Sequence, residues 1–301
     1  MRPGRSARET PGRVGMNGGA GALGGCMDLS LPPVAPVPSP YGGLSRHGVS
    51  YALRTGFRPL LLDLHVPAGE GPFPVVVWLH GGAFREGDRR YLPNTMRPGS
   101  VFEALVAAGL AVATVDYRLS GEARYPAQLD DVTAALRYLR EYAGELGLDA
   151  DRLGVWGESA GGTLAALAAL TTDAVTAAVC WYPPTDLAAL GHHGPDSPVT
   201  QLLGGCSSEL VAEADGASPV HRVTSAAPPF LLVHGVRDDL VPLSQSEALH
   251  ERLLAAGGRS VLVPVEGAGH CFGEYPDVPG LIADAVAFLA AELSPRAGRA
   301  G

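Results

Sequence analysis

The chain has 301 residues, of which 46% are hydrophobic and 18% charged, with a formal net charge of -9 and a pI near 5.4. That length holds one large α/β domain or two ordinary ones, and the apolar fraction suffices for a sizeable core. The acidic balance excludes a phosphate-tracking surface, which needs clustered Lys and Arg, so nucleic acid is not an expected partner. Cys26, Cys180, Cys206 and Cys271 show no CxxC spacing, which points to free thiols in a reducing, cytoplasmic setting. No stretch offers about eighteen continuous apolar residues, because the richest one, 160–183, is broken by Asp173, several threonines and the Pro183-Pro184 pair. No membrane span is expected.

Residues 1–43 are rich in Gly, Pro, Ala and Arg and lack periodicity, the composition of a disordered leader. "LGGC" at Leu23 to Cys26 lacks the preceding apolar region that an export signal needs, and Met16 or Met27 could serve as the start. Residues 44–301 read as a single catalytic domain. Strand-like runs occur at 60–66, 74–80, 110–117, 152–157, 174–182, 229–235 and 260–267. They are β-branched and nearly continuously apolar, as in strands covered on both faces. Between them, Val132, Leu136 and Leu139 recur at helical spacing, as do Leu249 with Leu253 and Ile282, Val286, Leu289 with Leu293. The alternation predicts an α/β fold with a mostly parallel central sheet and helices on both faces. Its exception is the insert 183–227, expected to lie over the strand ends as a short lid.

Four segments at strand ends carry chemistry. "VWGESAGG" places Ser159 between a strand ending at Gly157 and a run suited to a helix. A serine in such a strand-turn-helix is lifted out of the sheet, and flanking glycines keep side chains from colliding with its neighbours. Read alone, the same motif fits a serine that merely caps a helix. "HGGAF", His80 to Phe84, follows an apolar strand. Its amides can stabilise an oxyanion together with that of Ala160, although a plain turn would look the same. "HGVRDDLVP" brings Asp238 and Asp239 to another strand end, where one of them can orient an imidazole and solvated acids are the simpler alternative. "GAGHCF" puts His270 on a glycine-rich loop. The order serine, acid, histidine is that of one class of serine hydrolase triads.

With "VVVWLHGGAFREGDRR", "DYRLS", "YPAQLDDVTAALRYLRE", "DRLGVWGESAGG", "PPFLLVHGVRDDLVPLSQSEAL" and "VEGAGHCF" in sequence, the chain from about Leu60 to Leu293 resembles the α/β-hydrolase fold carboxylesterases and acylhydrolases. It is close to the hormone-sensitive-lipase-like branch and closer to small feruloyl-esterase-like or acetyl-xylan-esterase-like enzymes. The resemblance implies Ser159 as nucleophile, Asp238 as orienting acid, His270 as general base, and Gly82, Ala83 and Ala160 as oxyanion-hole positions, with Gly81 supporting the turn. Asp238 is preferred to Asp239 because the family's acid stands four residues after the motif histidine, here His234. One departure is Ala83, where the usual motif has a third glycine, so a backbone forbidden to alanine cannot be required there. The implied activity is hydrolysis of small-molecule, short-acyl esters with no cofactor and no metal. A homodimer is compatible with such folds. An amidase or formamidase would use the same scaffold, and a ligand-binding homologue without turnover is a third reading.

His192 and His193 with Asp196 suggest a metal, but adjacent histidines in a Gly-Pro loop do not share a face, and a solvated loop is the better expectation. Cys271 reads as a small filler, and Asp116 and Tyr117 as fixing a strand-end loop. Phe84, Trp181 and Tyr182 are candidates for pocket walls, with core packing the plainer alternative.

Overall fold

A computed structural model describes residues 29–191 and 194–295. Nine strands form one sheet: β1 (Val37–Pro38), β2 (Leu44–Ala52), β3 (Leu60–Val66), β4 (Phe73–Leu79), β5 (Ala111–Val115), β6 (Leu148–Glu158), β7 (Ala177–Trp181), β8 (Phe230–Gly235) and β9 (Ser260–Val265). Their order is β1-β2-β3-β5-β4-β6-β7-β8-β9. From β5 to β9 every pairing is parallel, whereas β1, β2 and β3 join antiparallel. The helices are α1 (Ser100–Ala107), α2 (Ala127–Glu141), α3 (Ala143–Leu146), α4 (Ala160–Thr171), α5 (Pro198–Leu203), α6 (Val211–Gly216), α7 (Ser244–Ala255) and α8 (Val278–Glu292).

Strand β4 shows why two cores form. Val75, Val77 and Leu79 join one hydrophobic cluster with α2, α4 and α7 residues such as Leu136, Leu164 and Leu249. Val76 and Trp78 join a second with Phe102 and Leu105 of α1 and Ile282 and Leu289 of α8. Alternation sends successive side chains to opposite faces, so a strand covered on both must be apolar throughout.

The leader expectation is corrected in part. Residues 1–28 lie outside the described residues, but Leu29 bridges Leu53 and β1 pairs with β2, so 29–43 are laid against the body. Strand β2 escapes a reading by apolar runs because Arg46, His47 and Gly48 interrupt it at a register shift between Arg46 and Val49. Such bulges break the two-residue period. The insert 183–227 contributes α5 and α6 and buries Leu187, Val199, Leu202 and Leu203 in the first core. It is therefore packed into the domain as well as lying near the strand ends.

Candidate active site

Ser159 sits between β6 and α4 at φ 51, ψ -120, a conformation that costs a non-glycine residue about 1–3 kcal/mol. Its amide donates to Trp181 O at 2.9 Å. The glycines around it are required by contact. A Cβ on Gly157 would stand 2.1 Å from Gly161 O, and one on Gly161 would stand 2.0 Å from Leu79 O. Helix α4 can therefore start directly above the end of β4 only with glycine at these positions.

His270 follows β9 and turns Nε2 to Ser159 Oγ at 3.2 Å and Nδ1 to Asp238 Oδ2 at 2.6 Å. A ring nitrogen beside a carboxylate carries the proton, which leaves the Nε2 lone pair facing the hydroxyl. Asp238 is buried, and its other oxygen accepts from the Leu240 and Val241 amides at 3.1 and 2.8 Å. Burial opposes its ionisation, but the hydrogen bonds from His234, His270 and Val241 outweigh that and hold the carboxyl well below the usual carboxylate range. Asp239, the alternative acid, is exposed on the rim of a cleft of about 440 Å³ beside His270, together with Arg237 and Glu274.

The "HGGAF" loop reaches the same place from the end of β4. His80 stacks on Tyr117 at 4.3 Å, and the Tyr117 hydroxyl donates to His80 O at 2.7 Å. Asp116 accepts from the Arg89 amide and guanidinium at 2.8 and 3.0 Å. These two residues thus fix the loop. Gly82 has φ 100, Ala83 φ 55 and Phe84 φ 61. Ala83 does not spare the loop a left-handed backbone, since it adopts one at a cost of about 1–2 kcal/mol. Among the described residues no acceptor engages the amides of Gly82, Ala83 or Ala160, whereas the Gly81 amide donates to Glu158 Oε1 at 2.5 Å.

A small apolar cavity of about 90 Å³ opens beside Ser159 and Ala160, walled by Ala83 and Phe84 on one side and by Leu187, Leu190 and Val199 of the insert on the other. Of the aromatic candidates, only Phe84 lines it. Trp181 is core, packed edge-on between Trp156 and Phe272, and Tyr182 lies fully buried under His270 at 4.9 Å between ring centres. Cys271 is half-buried, and burial followed by the Glu158 charge pushes its thiol up to about 12. His192 and His193 lie outside the described residues, and among those described no group of three His, Cys, Asp or Glu could hold a metal. No described helix is long and apolar enough to cross a membrane.

Sequence reading missed the roles of Glu158 and His234. Glu158 stands in the Ser159 motif, but its bond to the Gly81 amide emerges only in space, and Tyr182, a pocket-wall candidate by sequence, instead lies buried under His270. His234 marks the start of a motif, yet its ring function emerges only in space: Nε2 contacts Val241 O at 2.7 Å and Asp238 Oδ2 at 3.4 Å, while Nδ1 meets Ser246 Oγ at 2.7 Å.

The BD-FAE family model matches residues 62–253. Esterase LipC of Mycobacterium tuberculosis is 31% identical over 220 residues, 67% of this chain, and the match spans 53% of that relative's length. Among solved structures, a truncated carbohydrate esterase from gut microbiota is similar with a TM-score of 0.75 at 26% identity, over 86% of this chain and 99% of that one. Thermogutta terrifontis esterase 2 phosphorylated by paraoxon gives a TM-score of 0.68 at 25% identity, over 84% and 96%.

Proposed function

The chain belongs to the BD-FAE family, with the α/β-hydrolase fold, and from that premise we propose that it is a serine carboxylesterase that hydrolyses short-acyl esters through an acyl-enzyme on Ser159. The observation that carries the reading is the unbroken line from Ser159 Oγ through His270 to Asp238, at 3.2 and 2.6 Å.

In this reading Ser159 Oγ attacks the ester carbonyl carbon while its proton passes to His270 Nε2. Asp238 keeps the imidazole in the tautomer that can accept that proton and stabilises the imidazolium that forms. The carbonyl π electrons move onto oxygen, where the amides of Gly82, Ala83 and Ala160 receive the charge. Collapse re-forms the carbonyl and breaks the bond to the alcohol oxygen, which takes the proton from His270 as it leaves. Water, deprotonated by the same imidazole, then releases the acid and restores Ser159. The free thiols Cys180, Cys206 and Cys271 support a cytoplasmic setting.

The test is turnover of p-nitrophenyl acetate, butyrate and octanoate, beside an N-formyl anilide, by the protein and by Ser159→Ala. Rapid hydrolysis of the short esters that disappears in Ser159→Ala is the expected outcome. Ester silence with fast anilide cleavage would replace this reading with a formamidase, and turnover that survives Ser159→Ala would remove Ser159 as the nucleophile.

A further inference from the structure

Glu158 is a buried acid that the mechanism above does not use. It stands at the last position of β6, 1% exposed, immediately before the nucleophile. Parallel pairing sets Trp78 beside Trp156 and Leu79 beside Gly157, so Glu158 ends β6 where the chain of β4 has just entered its loop. Its carboxylate crosses that gap and accepts the Gly81 amide at 2.5 Å. We infer that Glu158 is a positioning residue: by holding Gly81 it sets the oxyanion loop in register with the nucleophile carried on its own strand.

Three observations support this. Gly81 is not at positive φ, so backbone freedom does not explain a glycine there. Space does: a Cβ on residue 81 would lie 2.1 Å from Glu158 Oε1 and 2.5 Å from its Cδ. The glycine is thus the counterpart of the carboxylate. The loop's other named hydrogen bonds also leave its start free of the nucleophile strand. Arg85 and Glu86 amides donate back to Gly82 O, the Ser120 amide to Phe84 O and the Tyr117 hydroxyl to His80 O, and Gly81 O is met by His80 Nδ1 at 2.7 Å from within the loop itself. Finally, Glu158 is surrounded by site residues. Burial pushes its carboxyl up to about 7, against the pull of the Gly81 amide and of His270, and it acts in turn on the thiol of Cys271 and the phenol of Tyr182. Such a group is costly to bury without a partner, and the partner it has is the loop that precedes the oxyanion donors.

The inference rests on the esterase reading for its catalytic consequence, so the experiment has a readout that does not depend on activity. Glu158→Ala, Gly81→Ala, the double variant and Glu158→Gln are compared by thermal unfolding and by kcat and KM on p-nitrophenyl acetate, normalised to the burst of reactive sites. Glu158→Gln keeps an acceptor oxygen and should retain kcat within roughly threefold. Either single alanine should lower kcat by about 10²-fold with KM within twofold, as expected when oxyanion donors are displaced. The double variant should be no worse than either single one in kcat and should melt above Gly81→Ala, because the new methyl enters the space the carboxylate vacates. Losses that multiply in the double variant would overturn the inference, as would an unchanged kcat in Glu158→Ala or a Glu158→Gln as damaged as Glu158→Ala. If Ser159→Ala stays active, the esterase reading fails, while the coupling in melting temperature still decides whether residues 81 and 158 are counterparts.

Discussion

Under the esterase reading proposed above, the cavity beside Ser159 sets a limit on acyl chain length. Its volume of about 90 Å³ is that of roughly three waters at about 30 Å³ each, so it admits about three carbon atoms beyond the carbonyl. Each methylene buried there stabilises the acylation transition state by about 0.8 kcal/mol, a factor of about four in kcat/KM. From acetate to butyrate the gain should therefore reach roughly 15-fold, after which hexanoate and octanoate should fall away because Phe84, Leu187, Leu190 and Val199 close the space. Leu190 is the wall residue to remove, being half-buried where Leu187 is fully buried. Leu190→Ala should move the optimum to hexanoate and leave acetate within about twofold. The assay is kcat/KM across the p-nitrophenyl ester series at one pH. A wild-type optimum at octanoate, or an unchanged order in Leu190→Ala, would refute the assignment of this cavity to the acyl group.

Two further outcomes follow from contacts already described. Gly161→Ala must push a methyl onto Leu79 O, which is backbone and cannot swing aside, so denaturant unfolding should show a loss of about 3 kcal/mol, and a loss below about 1 kcal/mol would contradict the close approach of α4 and β4. Glu158, raised from 4.5 to about 7 by burial, binds more protons folded than unfolded between those values, so its proton-linked stabilisation is full below about pH 4.5 and lost as the pH rises through 7. Relative to Glu158→Gln, wild-type stability should fall by about 3 kcal/mol across that window, and a flat difference in urea titrations would show that the acid is not buried as described.

The parts of this protein legible in its sequence are those written in local pattern. The apolar runs of β3 to β8 announce themselves because both sheet faces are covered, whereas β9 is a part-exposed edge strand read from its β-branched residues, and Gly157 and Gly161 mark a strand end where backbone must pass close to backbone. The direction of β3 was not legible: "LLLDLHV" looks the same parallel or antiparallel, and its pairing with β5 is decided by how the chain returns. Strand β2 was hidden by a bulge. In the site, Ser159, Asp238 and His270 stand on motifs and come together in space, whereas Glu158 and Gly81 are separated by 77 positions and nothing in either segment names the other. The walls of the cavity were equally hidden, because Leu187, Leu190 and Val199 lie in an insert without periodicity.

The backbone strain in this molecule has one address. Among the described residues, the non-glycine residues at positive φ are Ala83, Phe84, Ser159, Tyr182, Cys271, Phe272 and Glu274. Two lie on the loop after β4, one is Ser159, three belong to the His270 loop and Tyr182 supports that loop from below. Each conformation is unfavourable by itself and persists only where surrounding packing over-determines it. The packing comes from rings: Phe84 is anchored in the core on the α2 and α4 face, while Tyr182 and Phe272 are anchored in the core on the α1 and α8 face. One face of the sheet therefore anchors the loop after β4 and the other anchors the His270 loop, with Ser159 after the strand between them. That division explains why a single acid at the end of β6 can matter to both sides. Glu158 bonds to the first loop, and its charge acts on Tyr182, beneath the His270 loop, and on Cys271 within it, so one carboxyl couples the two loops that flank Ser159.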